Sequence, residues 1–120
     1  MDKQKFGAIG EPSRTATASF KSAEQTIAAA TQLTIAHGLA VVPTLMQVVL
    51  RNLTTEHNFP VGDEVVPVTA GTRSIQIAAD ATNLYVTTGI DAVQIINRVT
   101  GAVVTITNAN WAIVARAWVQ

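Results

Sequence analysis

Several short stretches of this chain alternate apolar and polar residues, the period-2 pattern of half-buried strands. The closing run Asn110-Trp111-Ala112-Ile113-Val114-Ala115-Arg116-Ala117-Trp118-Val119 carries the most information. Successive side chains of an extended strand point to opposite faces. Trp111, Ile113, Ala115, Ala117 and Val119 therefore share one face, and Ala112, Val114, Arg116 and Trp118 share the other. Both faces carry a tryptophan, and a small domain buries only one of them in its own core. The second face is expected to need another sheet, another subunit or a ligand.

The same alternation predicts further strands over Leu45 to Arg51, Ser74 to Ala78, Leu84 to Thr88, Ala92 to Asn97 and Ala102 to Ile106. A short one is expected over Val65 to Val68, kept to an edge or a strand start by Pro67. The stretch Thr26 to Ile35 is ambiguous. Ser22 to Gln25 fits a helix capping box and the alanines favour helix, but Leu33-Thr34-Ile35 alternates and Gly38 ends it, so it is read as strand. Turn formers lie between these runs, at Thr54 to Asp63, Asp80 to Asn83 and Thr100-Gly101. Short strands at this spacing predict an all-β fold, an antiparallel β-sandwich of about seven or eight strands. Residues 7–14 hold breakers and no periodicity, so residues 1–19 read as an extended N-terminal arm and residues 20–120 as the sandwich domain.

Composition narrows the function classes. Eight basic and eight acidic residues cancel, which gives no basic footprint for nucleic acid. Only 13% of residues are charged while 48% are hydrophobic, a surface that favours association over a solitary existence. The absence of cysteine removes disulfides, thiolate metal sites and cysteine nucleophiles. No apolar run follows Met1 to Lys5 as in a signal peptide, and none approaches membrane-spanning length. A soluble protein made in a cytoplasm is expected, without membrane insertion.

Individual side chains offer little chemistry. His37, beside Gly38, lacks a nearby acid and is expected to make a hydrogen bond in a turn. Glu56, His57, Asp63 and Glu64 form the one acidic and histidine-bearing cluster, but their spacing matches no metal loop. Asp80 and Asp91 sit beside turns, where aspartate bonds the backbone. Nucleophile, phosphate-loop and zinc-protease motifs are missing, and no two acids are tied to one cleft as a glycosidase requires. Tyr85, Trp111 and Trp118 suit either a sugar-stacking platform or a core and interface role, and the apolar strand around the tryptophans favours the latter. No enzyme, cofactor or metal is expected.

Several ordered motifs carry a resemblance. They are Leu33-Thr34-Ile35-Ala36-His37-Gly38-Leu39, Pro43, Val61-Gly62-Asp63-Glu64-Val65, Asp80-Ala81-Thr82-Asn83-Leu84-Tyr85-Val86, Asn97-Arg98-Val99-Thr100-Gly101, and Ile106-Thr107-Asn108-Ala109-Asn110-Trp111 closing on Arg116-Ala117-Trp118. In this order, from about Phe20 onward, they resemble small structural proteins of tailed bacteriophages, the tail-fibre, head-fibre and capsid-decoration type. More loosely, the body is similar to small trimeric lectin domains. The resemblance implies a virion component made in the host bacterial cytoplasm, with a β-sandwich body, acting as a homotrimer and docked on phage capsid or tail proteins. The alternative it leaves open is a module of a phage tail fibre that binds a host receptor or surface glycan. On this reading Val114, Arg116 and Trp118 form the oligomer interface, with Arg116 needing an acid or carbonyl partner. Lys3, Lys5, Phe6 and Ile9 mark the docking arm.

Overall fold

Strands require every second residue to face a core, and the alternating runs meet that demand from two directions. The computed structural model describes residues 18–68 and 71–120. Among them are nine strands: β1 (Ala18–Lys21), β2 (Gln32–Ala36), β3 (Leu45–Asn52), β4 (Glu64–Val65), β5 (Ile75–Ala79), β6 (Asn83–Thr88), β7 (Gln94–Ile96), β8 (Val103–Thr105) and β9 (Trp111–Val119), with one short 3-10 turn at Asn108–Asn110. Every pairing is antiparallel. The larger sheet runs β1-β9-β3-β4, the smaller β2-β6-β5, and β7 pairs with β8 as a hairpin. The expected all-β, antiparallel class is what the chain adopts.

One core serves both larger layers in a sandwich-like arrangement. Leu50, Trp111, Ile113, Ala115 and Ala117 enter it from the larger sheet, Ile75, Leu84 and Val86 from the smaller, and Ile95 from the hairpin. The register makes this consistent. Ile113 lies opposite Leu50 and Ala115 opposite Val48, while Val86 lies between Leu33 and Ile77. Alanines at 115 and 117, both fully buried, leave room for the facing sheet. Asn52 is the exception: its carboxamide is buried with neither polar atom partnered among the described residues. Such a group costs about 1–3 kcal/mol.

Four expected strands shrink: Ala92 to Asn97 is strand only at Gln94–Ile96 and Ala102 to Ile106 only at Val103–Thr105, and two others change more. The run beginning at Thr26 becomes strand only from Gln32, because Ala30 adopts a left-handed φ of 53° and turns the chain. Ser22 and Gln25 cap no helix; the Ser22 hydroxyl accepts the Ala115 N–H at 2.9 Å, and Gln25 exchanges backbone bonds with Ile113. The run at Val65 to Val68 is strand only at Glu64–Val65, since Pro67 has no N–H to extend the ladder. Ala18 and Ser19, assigned to the arm by their sequence, lie in β1 opposite Val119 and Trp118.

Candidate functional site

The outer face of the larger sheet decides how this molecule meets its surroundings. Ala112, Val114, Arg116 and Trp118 of β9 stand beside Arg51, Val49, Gln47 and Leu45 of β3, with Glu64 of β4 next to Arg51. Glu64 is the hub. Its carboxylate accepts from Arg116 at 2.9 and 3.0 Å and from Arg51 at 3.2 Å, and Arg51 also reaches Glu24 at 3.4 Å. Because β3 lies between β4 and β9, the Glu64–Arg116 pair crosses over Val49. Glu24 belongs to the segment bonded along the far side of β9, so the Arg51–Glu24 pair crosses β9 near Ala112 and Val114. Arginine stems shield apolar surface while their heads stay wet. Val114 is accordingly 1% exposed and Val49 4% exposed within a single chain.

This ionic strap divides the face. Arg116 has the acidic partner its sequence position demanded, supplied by the chain itself. Val114, expected at an oligomer interface, is already covered, so little of it is left to offer a partner. Beyond the strap the face opens: Trp118 is half-buried, and its neighbour Leu45 is 52% exposed. Val41 and Val42, just before β3, are exposed as well, whereas Met46, opposite Ala117, is exposed at the end of the other face. The loop before β3 is tied to the Trp118 end by Thr44, whose N–H and hydroxyl both donate to the Trp118 carbonyl. Lys3, Lys5, Phe6 and Ile9 lie outside the described residues.

The other sequence candidates are scattered and mostly serve the fold. Glu56 accepts from the Trp111 indole at 2.8 Å, the Thr107 N–H at 2.9 Å and the Asn110 amide at 3.2 Å. Burial pushes its carboxyl pKa up, but these hydrogen bonds outweigh burial and hold it below the usual range. His57 and Asn58, with φ of 53° and 67°, form the left-handed pair of a tight hairpin turn between Glu56 and Phe59. His57 bonds the Thr105 carbonyl at 2.9 Å. The acidic and histidine-bearing cluster is thus split between Glu56, on the core's rim, and Glu64, in the strap. Among the described residues no three histidines or acids gather as ligands.

His37 is buried and fully engaged, as its turn position suggested: its Nε2 lies 2.8 Å from the Asp80 carbonyl, and its Nδ1 accepts the Leu39 N–H. Asp80 closes the β5–β6 turn. The Tyr85 hydroxyl and the Asn83 and Thr82 amides hold its pKa down to about 2. Asp91 accepts from the Thr72 hydroxyl. The three large polar aromatics do not converge: Trp111 is in the core, Tyr85 lies on the smaller sheet and Trp118 on the outer face of the larger one. The strap and the Glu56 anchor were missed in the sequence. Only the indole N–H of a buried Trp111, which needs an acceptor, signalled the second.

The strap has a pH signature. Hydrogen bonds from Arg116 first, then Arg51, hold the Glu64 carboxyl down to about 2 from an ordinary 4.5. A carboxylate depressed in the folded state contributes its stability in full above the ordinary value and loses it as pH falls through the folded one. The urea midpoint is therefore expected to hold from neutrality down to about the ordinary carboxylate range and to decline between about 4.5 and 2. Glu64→Gln should start lower at neutral pH and fall less steeply. Parallel wild-type and variant profiles would remove Glu64 as a source of that slope.

No family model, curated protein or solved structure matches the chain. Fold and surface together define a class instead: an antiparallel all-β protein whose polar clusters are closed on themselves and whose larger sheet ends in an open apolar patch.

Proposed function

We propose that this protein is a non-catalytic structural subunit of a bacteriophage virion. It is a small β-sandwich that assembles with copies of itself as a homotrimer and docks on a capsid or tail protein through its N-terminal arm. The ordered motifs from Phe20 onward support the phage assignment by resemblance. The observation that carries self-assembly is the open end of the larger sheet, where Leu45 and Trp118 lie side by side beyond the ionic strap, with Val41 and Val42 exposed in the loop that Thr44 ties to Trp118. Large apolar side chains exposed side by side in this way mark an interaction surface. Tryptophan at its centre is the residue type that most often dominates such contacts.

Trp118→Ala tests the reading. Truncating an interface tryptophan costs about 2 kcal/mol or more, at least tenfold in association. Light scattering and native mass spectrometry should show the trimer weakened by that factor or lost. Circular dichroism should stay unchanged, because Trp118 is outside the core. An assembly of unchanged mass and affinity would overturn this surface as the contact.

A further inference from the structure

The open edge of the smaller sheet supports an inference independent of the Trp118 surface. β2 pairs with β6 on one side, and no strand among the described residues pairs with its other side. The hydrogen-bond phase is fixed at both ends: Thr88 N–H donates to Thr31 O, and His37 N–H donates to Thr82 O. Hydrogen-bonded partners alternate along an antiparallel ladder, so Leu33 and Ile35 direct their backbone groups to β6. Gln32, Thr34 and Ala36 direct theirs outward, and all three residues are exposed.

Natural edge strands are guarded by charge, proline, shortness or cover, and the other edges here follow that rule. β1 ends on Lys21, and β4 is two residues long, carries Glu64 and is followed by Pro67. β5 is flanked by Arg73 and Asp80. In the hairpin, β7 and β8 are three residues each, and Val68 donates to the Gln94 carbonyl of β7. Among the described residues β2 has none of these guards. No charged side chain occurs anywhere from Gln25 to Leu50.

We infer that β2 pairs antiparallel with β2 of a second copy about a two-fold axis through Thr34. In that register Gln32 meets the partner's Ala36, Thr34 meets the partner's Thr34, and Ala36 meets the partner's Gln32. Each residue brings one donor and one acceptor, and all of them lie on the outward side, so every outward group is satisfied and none is left over. A register shifted by two residues leaves outward groups unpaired at both ends. The side chains agree with the backbone. Leu33 and Ile35 are only half-buried on the core side, and the axis places Leu33 beside the partner's Ile35 and Ile35 beside the partner's Leu33. Threonine opposite threonine is a favourable cross-strand pair. The two smaller sheets become one continuous sheet.

The two-fold axis dictates the test. Thr34→Lys sets two cations directly opposite each other, Thr34→Glu sets two anions, and an equimolar mixture sets one against the other. Thr34 is exposed on the outer face, so each variant should keep the wild-type circular dichroism spectrum. In the full chain the two-fold contact joins two of the proposed trimers into a hexamer. Each variant alone should therefore stop at the trimer with half the mass, and mixing the two variants should restore the hexamer with both in equal number in native mass spectrometry. A wild-type mass that neither variant changes would overturn the pairing, as would a mixture that fails to recover. Trp118→Ala leaves this edge intact, so a lost trimer with the twofold step retained separates failure of the proposed assembly surface from failure of the edge contact.

Discussion

Trp111→Ala is expected to lower the free energy of unfolding by about 3–5 kcal/mol, the range for truncating a buried large aromatic. A domain of this size has only about 5–15 kcal/mol in total. Trp111 begins β9 at 2% exposure, packed edge-on against Phe59 with ring centroids 5.7 Å apart. Its indole donates to Glu56, which also holds the Thr107 N–H and the Asn110 amide. One side chain thus joins the core, the loop around residue 56 and the turn leading into β9. Trp111→Phe shifts the balance between these roles: it keeps a six-membered aromatic ring in the core, removes the donor and the rest of the indole, and should cost less than alanine, about 1–3 kcal/mol. Urea titrations followed by circular dichroism give both values. An alanine variant within about 1 kcal/mol of wild type would mean the site collapses around the loss and is no keystone.

The contrast between Trp111 and Glu56 marks where the sequence stops being legible. Alternation exposed β9 with its two faces and placed Trp111, Ile113, Ala115 and Ala117 together, because that pattern is local and every residue keeps its phase over the whole strand. β3 was readable for the same reason. The run from Thr26 was less so. Its alanines carry no face preference, and the turn at Ala30 depends on contacts with distant residues, including the Ala30 N–H bond to Gly89 O. The need of Arg116 for an acid was legible but the strap's membership was not, since Glu24, Arg51, Glu64 and Arg116 come from four separate segments that only the folded sheet brings together. Its consequence alters the assembly argument. A greasy second face on β9 pointed to a partner along its whole length, yet half of that face is covered by the chain's own arginines, which leaves the Leu45 and Trp118 end as the part that needs one.

Gly89→Ala is expected to be the most damaging of the small substitutions, at about 3 kcal/mol, the upper end for overpacking a site that cannot relax. Its sequence position, after the run Leu84 to Thr88, suggests a strand terminator, but the structural reason is a close approach of two backbones. A Cβ on Gly89 would sit 2.7 Å from the Thr72 carbonyl carbon and 2.8 Å from the Ser74 nitrogen, with the Thr72 oxygen nearer still. These obstacles are main chain and have no rotamer in which to yield. Gly89 is also held on both sides, donating to Ser74 O at 2.7 Å and accepting from Ala30 N–H at 2.9 Å. Any retreat would disturb the end of the β5–β6 ladder, where Ile75 faces Thr88. The damage should spread, because Thr88 donates through its hydroxyl to Ala28 O and accepts the Thr31 N–H, thereby fixing where β2 begins. Gly38 and Gly101 make the control: a Cβ there meets open space, and only their left-handed backbone resists substitution, a strain of about 1–2 kcal/mol. Hydrogen exchange should show protection lost across β2, β5 and β6 in Gly89→Ala while β3 and β9 stay protected longest. A Gly89→Ala variant no less stable than Gly101→Ala would mean the two backbones do not meet there. In that event the seat of β2, and the strand phase that directs Gln32, Thr34 and Ala36 outward, would need a different origin.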